Sequence, residues 1–172
     1  LFSPYALDSL TLKNRIVIAP MCQYSANNGD ATDWHLIHLG HLAVSGAGLL
    51  ILEATAVEPE GRISPGDLGL WSDQNEAALG RVLQSVHRYS DMPIGIQLAH
   101  AGRKGSSHVP WEGGQLIPVS EGGWVPCAPS AMPHAAQEPP PVALDIAGLQ
   151  RIRQAFVDAA VRAHRLGIAL IE

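Results

Sequence analysis

The sequence predicts a parallel α/β fold, and three observations carry that expectation. Short apolar segments alternate with amphipathic ones in the order strand, helix, strand, helix. The strand-like segments are apolar throughout, as a sheet covered by helices requires. Polar residues gather just after these segments, at the strand ends where barrels build their active sites. No glycine-rich phosphate fingerprint follows the first strand, so a barrel is favoured over a doubly wound sheet, with the latter left open.

The elements follow in order. "RIVIA" (15–19) is a β-branched run and reads as a buried strand. Pro20 ends it, because proline has no N–H to give to a ladder. "TDWHLIHLGHLAVS" (32–45) reads as a helix capped by Thr32 or Asp33. "SGAGLL" (45–50) contains G-x-G, but it precedes a strand and so reads as a helix-to-strand turn. "GLLILEA" (48–54) is the second strand. "SDQNEAALGRVLQSVHRYS" (72–90) is helical, with Asp73 and Glu76 at capping-box spacing. "PIGIQLA" (93–99) is the third strand.

Residues 102–143 break the rhythm. They are rich in Gly, Pro and Ser and hold no long element, so a functional capping loop or small subdomain is expected. Trp111 and Trp124 are expected to pack it down. "EPPPVA" (138–143) reads as a rigid connector, a polyproline ligand being the alternative. The next helix is "LDIAGLQRIRQAFVDAAVRAHRLG" (144–167). Its apolar stripe runs through Ile146, Leu149, Ile152, Phe156, Ala160 and Ala163. Asp145 caps its start and Gly167 is placed to end it. "IALIE" (168–172) opens a fourth strand. One domain is expected over the 172 residues.

Composition narrows the function. The formal charge of −5 argues against a nucleic-acid partner and leaves no polybasic membrane patch. The longest apolar run, "LLIL", is far too short to span a bilayer. "LFSPYALDSL" lacks the basic and apolar regions of a secretory signal. Two cysteines, Cys22 and Cys127, make neither a disulfide framework nor a four-ligand zinc site, and a reducing cytoplasm is expected.

Three clusters stand at the strand ends: Ala19-Pro20-Met21-Cys22-Gln23-Tyr24, Glu53-Ala54-Thr55-Ala56 and Gln97-Leu98-Ala99-His100. In a parallel barrel they converge on one mouth and offer an apolar platform, a thiol, a phenol and an amide. No nucleophile–base pair and no carboxylate pair is legible. Such a mouth suits a flat cofactor that carries the chemistry itself. Read singly, each residue has a plainer role. Cys22 is a small buried hydrophobe, Tyr24 a loop aromatic, Gln97 a satisfied amide and Ala54 a close-packing residue. His35, His38 and His41 read as surface or packing histidines, because no carboxylate or cysteine stands with them at zinc-site spacing. Cys127 reads as a loop residue without a chemical role.

Read together, "NRIVIAPMCQYSA", "EATAVEPEGRISPGDLGLWSD" and "GIQLAHAGRKGS" resemble three N-terminal motifs of the old yellow enzyme family, the FMN-dependent ene-reductases. Cys22 after Pro-Met resembles the thermophilic-like branch. The likeness runs from Leu1 to Glu172 and implies the N-terminal half of a (β/α)8 TIM barrel. It further implies that Ala19, Pro20 and Met21 line the flavin, that Cys22 tunes its potential and that Ala54 lies against the ring. Gln97 then bonds the pyrimidine edge and Tyr24 reaches an enone-type substrate. His100 and Arg103 stand in "QLAHAGR", where architecture is expected more than catalysis. Hydride passes from NADPH or NADH to FMN and on to an activated alkene.

The same resemblance implies absences. Family members close an eight-stranded barrel, and their substrate-carbonyl pair and phosphate loops follow strand four. A fragment is therefore expected, completed by a companion chain, a homo-oligomeric mate or further residues. The competing expectation is a non-catalytic half-barrel that binds or assembles. A pyridoxal phosphate barrel is disfavoured, because Lys104 lies beyond strand three and not at a strand end.

Overall fold

A computed structural model describes residues 1–172. The chain opens with an antiparallel hairpin, β1 (Tyr5–Leu7) and β2 (Leu10–Leu12), turned through Asp8 at a φ of 51°. Six apolar-rich residues are too few to register as a strand period, so the hairpin is invisible to pattern reading. It lies beside the lower part of the sheet. There Tyr5, Leu7 and Leu12 line an apolar trough with Val17, Leu49, Ile51 and Leu170.

The first sheet strand, β3 (Val17–Ile18), is shorter than the run 15–19 suggests. After it come α1 (Asp33–Ala43), β4 (Leu49–Ala56), β5 (Leu68–Gly69), α2 (Asp73–His87) and β6 (Ile94–Ala99). Then follow β7 (Cys127–Ala128), β8 (Val142–Ala143), α3 (Ile146–Arg165) and β9 (Leu170–Ile171). The main sheet is parallel in the order β3-β4-β6-β9, matching the four-strand expectation. β5 was not foreseen. It pairs with the upper end of β4 through Thr55 and Ala56, while β3 pairs with the lower end through Leu49 and Leu50. β5 thus takes the ladder edge that β3 leaves when the chain turns away at Ala19.

The helices cover one face. Leu50, Leu52, Ile94, Ile96 and Leu98 point into a core shared with Leu39 and Ala43 of α1, Leu79, Val82, Leu83 and Val86 of α2, and Ala159 and Ala163 of α3. The four α2 residues are spaced 3, 1 and 3, one face of a helix. The stripe foreseen on α3 holds from Phe156 onward, with Ala160 and Ala163 also packed on the core. Ile146 and Leu149 are exposed, and Ala155, Phe156, Ala159 and Ala163 meet the sheet. Small residues win there because α3 must approach the sheet closely.

Caps follow local hydrogen bonding. Thr32 precedes α1, as foreseen, and its N–H donates to His35 Nδ1 at 2.9 Å. At α2 the cap is Ser72, which accepts from Asn75 N–H at 3.1 Å, and not Asp73. Glu76 instead takes Arg162 and Arg165 of α3, which hold its carboxyl below the usual range. Asp145 accepts from Gly148 N–H at 2.7 Å, and Gly167 ends α3 at a φ of +75°, where a side chain would be strained.

Residues 102–143 hold three single 3-10 turns and the parallel bridge between β7 and β8. Trp124 anchors the segment, donating from Nε1 to the Glu60 carbonyl at 3.0 Å with the Arg62 guanidinium over its ring. No helix is long and apolar enough to cross a membrane.

Candidate functional site at the strand tips

Three strand ends meet, and a bulge makes them meet. β4 and β6 run in register from Leu50 opposite Ile94 to Leu52 opposite Ile96, and then Ala54 stands opposite Gln97. Glu53 is the additional residue. A bulge inverts the phase of a strand beyond it. Leu52 and Thr55 are buried against the helices, so Ala54 is carried to the other face, beside Gln97. Without the bulge, Ala54 would share the helix-covered face with Leu50 and Leu52.

Cys22 closes the triangle. The Ala54 backbone N–H lies near its sulfur and favours the thiolate. Burial above all, with the Asp67 and Glu53 carboxylates adding to it, pushes the thiol up to about 11. At neutral pH Cys22 is an uncharged S–H. The two carboxylates were not foreseen as a feature of the site. Asp67 is buried in the turn before β5 and accepts from Ile63 N–H at 2.7 Å and Ser64 Oγ at 2.8 Å. Burial raises its carboxyl pKa, with those donors opposing.

Tyr24 stands next to this triangle in an unusual backbone state, φ 51°. Burial chiefly, then the Cys22 sulfur it faces, then Asp67, raise its phenol above the ordinary value. The ring meets Trp111 edge-on, with centroids 5.5 Å apart, so the long segment reaches the strand tips at this point. Gly66 sets the turn: a Cβ there would lie 2.5 Å from the Tyr24 carbonyl oxygen. Ala19 and Met21 are exposed and Pro20 half-buried, so all three present surface at the edge. Gln97 donates from Nε2 to Glu172 Oε1 at 2.8 Å.

Two buried His–Glu pairs lie behind the tips, and neither is legible as a pair in the sequence. His35, expected on the helix surface or in packing, is 1% exposed and sits 3.4 Å from Glu53. His100 lies 2.9 Å from Glu58, whose other oxygen is taken by Arg151 of α3. Cys127 is drawn into this second group, its sulfur 3.9 Å from His100 Nε2, so it has partners after all. Glu58, His100 and Cys127 present ligand-type atoms within 4.8 Å of one another. They nevertheless form a tie and not a metal cage. His100 Nδ1 accepts from Gly102 N–H at 3.0 Å, which leaves the proton on Nε2, and Arg151 already supplies the cation.

The family model described as "NADH:flavin oxidoreductase / NADH oxidase family" matches residues 1–172. An NADH:flavin oxidoreductase of Gibberella zeae is 44% identical, aligned over 99% of this chain and 42% of its own length. An NADPH dehydrogenase of Geobacillus thermodenitrificans is 45% identical over 100% of this chain and 46% of its own. Among solved structures, morphinone reductase in complex with tetrahydroNAD superposes with a TM-score of 0.81 at 31% identity, over 99% of this chain and 48% of that one. An old yellow enzyme homologue from Zymomonas mobilis gives 0.78 at 29% identity, over 99% and 47%. The chain thus spans about half the length of the relatives it matches, and it matches their first half-barrel.

Proposed function

The chain belongs to the NADH:flavin oxidoreductase / NADH oxidase family, and from that premise we propose that it is the ring-holding half of an FMN-dependent oxidoreductase. The reaction is hydride transfer from NADPH or NADH and reduction of an activated C=C bond in an enone-type small molecule. One observation carries this reading: the Cys22 sulfur, Ala54 and Gln97 share one face because of the bulge at Glu53.

These residues fit FMN. Ala19, Pro20 and Met21 offer an apolar edge, and the methyl side chain of Ala54 lets a planar ring approach the backbone. The Gln97 amide both donates and accepts, as a pyrimidine edge requires. Cys22 stays protonated at neutral pH, so it sets no negative charge against a ring that gains electrons. FMN, when bound, supplies the hydride chemistry; the chain's own residues bind and orient. Tyr24 would touch the substrate in this reading, and its contacts with Gly66 and Trp111 support a fixed position for it. Morphinone reductase, a structural neighbour solved in complex with tetrahydroNAD, supports a nicotinamide donor.

Activity requires more surface than this chain provides. The uncovered face of the sheet carries the apolar trough from Tyr5 to Leu170, and Val17 and Ile171 are each almost half exposed. A companion segment like the second half of the relatives, or a second copy, covers it in this proposal. Residues 1–172 then act as one unit with 102–143 as its cap. The free thiols Cys22 and Cys127 suit a reducing cytoplasm.

The test is complementation. The chain is purified alone and together with the second half of the Geobacillus thermodenitrificans relative. Flavin absorbance that survives gel filtration, and bleaches with NADPH under argon, is the expected result of the mixture. A mixture that assembles yet stays colourless would overturn the oxidoreductase reading and leave a non-catalytic assembly module.

A further inference from the structure

Glu53 has no assigned role, yet everything at the strand tips passes through it. It is the bulge residue of β4 and is 6% exposed. One carboxylate oxygen, Oε2, accepts from Gln23 N–H at 2.8 Å. The other faces His35 Nε2 at 3.4 Å. His35 Nδ1 accepts from Thr32 N–H, so Nε2 carries the proton and lies 3.4 Å from Glu53 Oε1 without a hydrogen bond to it. That nitrogen is buried and has no closer partner. Thr32 Oγ1 in turn donates to the Ser25 carbonyl at 3.0 Å. The loop bearing Cys22 and Tyr24 is therefore gripped on both sides, at Gln23 by Glu53 and at Ser25 by the start of α1.

We propose that Glu53, steadied by His35, is the positioning residue of the Cys22–Tyr24 loop, fixing the Cys22 sulfur against the Ala54 backbone. A buried carboxylate costs several kcal/mol to desolvate. No lysine or arginine pairs with Glu53. A chain that only needed to fill this space would do so with an apolar residue; a carboxylate is retained for what its two oxygens hold. The groups that face Cys22 are Asp67, Glu53, Tyr24 and Lys104. This inference deepens the flavin reading, and it rests on that reading only for its purpose, since the loop geometry stands without a flavin.

The experiment uses the full chain and needs no flavin. Amide hydrogen exchange of Gln23 is followed by mass spectrometry, alongside the pH profile of Cys22 alkylation by iodoacetamide, with each cysteine peptide read separately. In the parent protein Gln23 is expected to be protected and Cys22 to alkylate with a midpoint near 11. Glu53→Ala is expected to speed Gln23 exchange about tenfold, the worth of one buried hydrogen bond. Glu53→Gln keeps an acceptor and removes the charge. It should retain most of the protection while lowering the Cys22 midpoint by about one pH unit. His35→Gln should speed Gln23 exchange by a smaller factor. Parent-like Gln23 exchange in a folded Glu53→Ala chain, an unmoved Cys22 midpoint in Glu53→Gln, or a Gln23 amide unprotected in the parent, would overturn the proposal. Loss of flavin binding with these readouts as expected would sink the cofactor reading and leave the positioning role standing.

Discussion

The two buried His–Glu pairs stand five residues apart along one strand and its exit, and they solve different problems. Glu58 meets His100 at 2.9 Å and the Arg151 cation, and the group ties four distant segments together: the end of β4, the end of β6, β7 and α3. Glu53 meets His35 at 3.4 Å and a backbone N–H, with no cation. The first pair is compensated and joins elements. The second has no lysine or arginine beside it and aims a loop. A buried carboxylate that is neutralised reads as architecture; one that is not reads as a charge kept for its neighbour, here Cys22.

The largest expected effect comes from breaking the compensated pair. Glu58→Ala strips His100 of its acceptor and frees Arg151, and should lower the unfolding free energy by about 3 kcal/mol in urea denaturation. It should also release β7, so amide exchange around Cys127 rises with it. If exchange rises at the strand tips and not at β7, the two pairs have been assigned to the wrong regions.

Glu53→Ala comes next, at about 2 kcal/mol, because it orphans the Gln23 N–H and removes the carboxylate beside the His35 imidazole without stranding a cation. A loss equal to that of Glu58→Ala would erase the distinction between tie and aim. Arg151→Ala sharpens the same contrast from the other side. Its side chain is 52% exposed, so the loss should be no more than about 1 kcal/mol, and it should shrink further in high salt.

The two pairs also mark how far the sequence could be read. Helices with a strong period, α2 and α3, and the strands of the parallel sheet are legible because burial imposes spacing within one segment. The bulge at Glu53 is not, because it exists only as a mismatch between β4 and β6, and one strand carries no record of its partner's register. The same limit hides the Glu53 and Asp67 carboxylates beside Cys22, the Arg151 contact and the partners of Cys127. Each joins residues far apart in the chain. The hairpin and β5 were too short to show a period. Ser72 was passed over for Asp73 because both residue types favour caps, and one position of slip decides between them. The motif residues Cys22, Ala54 and Gln97 were singled out by resemblance, and the bulge is the physical reason they share a face. The α3 stripe follows the sheet from Phe156 onward, while Ile146 and Leu149 are exposed, because nothing in this chain lies over them.

The smallest effect is the most specific to the uncompensated pair. Below about pH 9 the Cys22 thiol is protonated in both folded and unfolded chains. Its ordinary value is 9.0, and burial with the Asp67 and Glu53 charges raises it to about 11 in the fold. Between those limits the unfolded chain ionises while the folded chain resists, so the stability Cys22 contributes is lost as pH rises from about 9 to about 11. The sulfur is only half-buried and water screens it, so the loss should be roughly 1 kcal/mol. Cys22→Ala should abolish that component, and Glu53→Gln should shrink it. Cys127 is present in all three proteins and cancels from the comparison. Parallel stability–pH curves for the parent and Cys22→Ala between pH 8 and 11, within error, would mean that the Glu53 charge is not felt at the sulfur, and the contrast between the two pairs would then reduce to which segments each one holds.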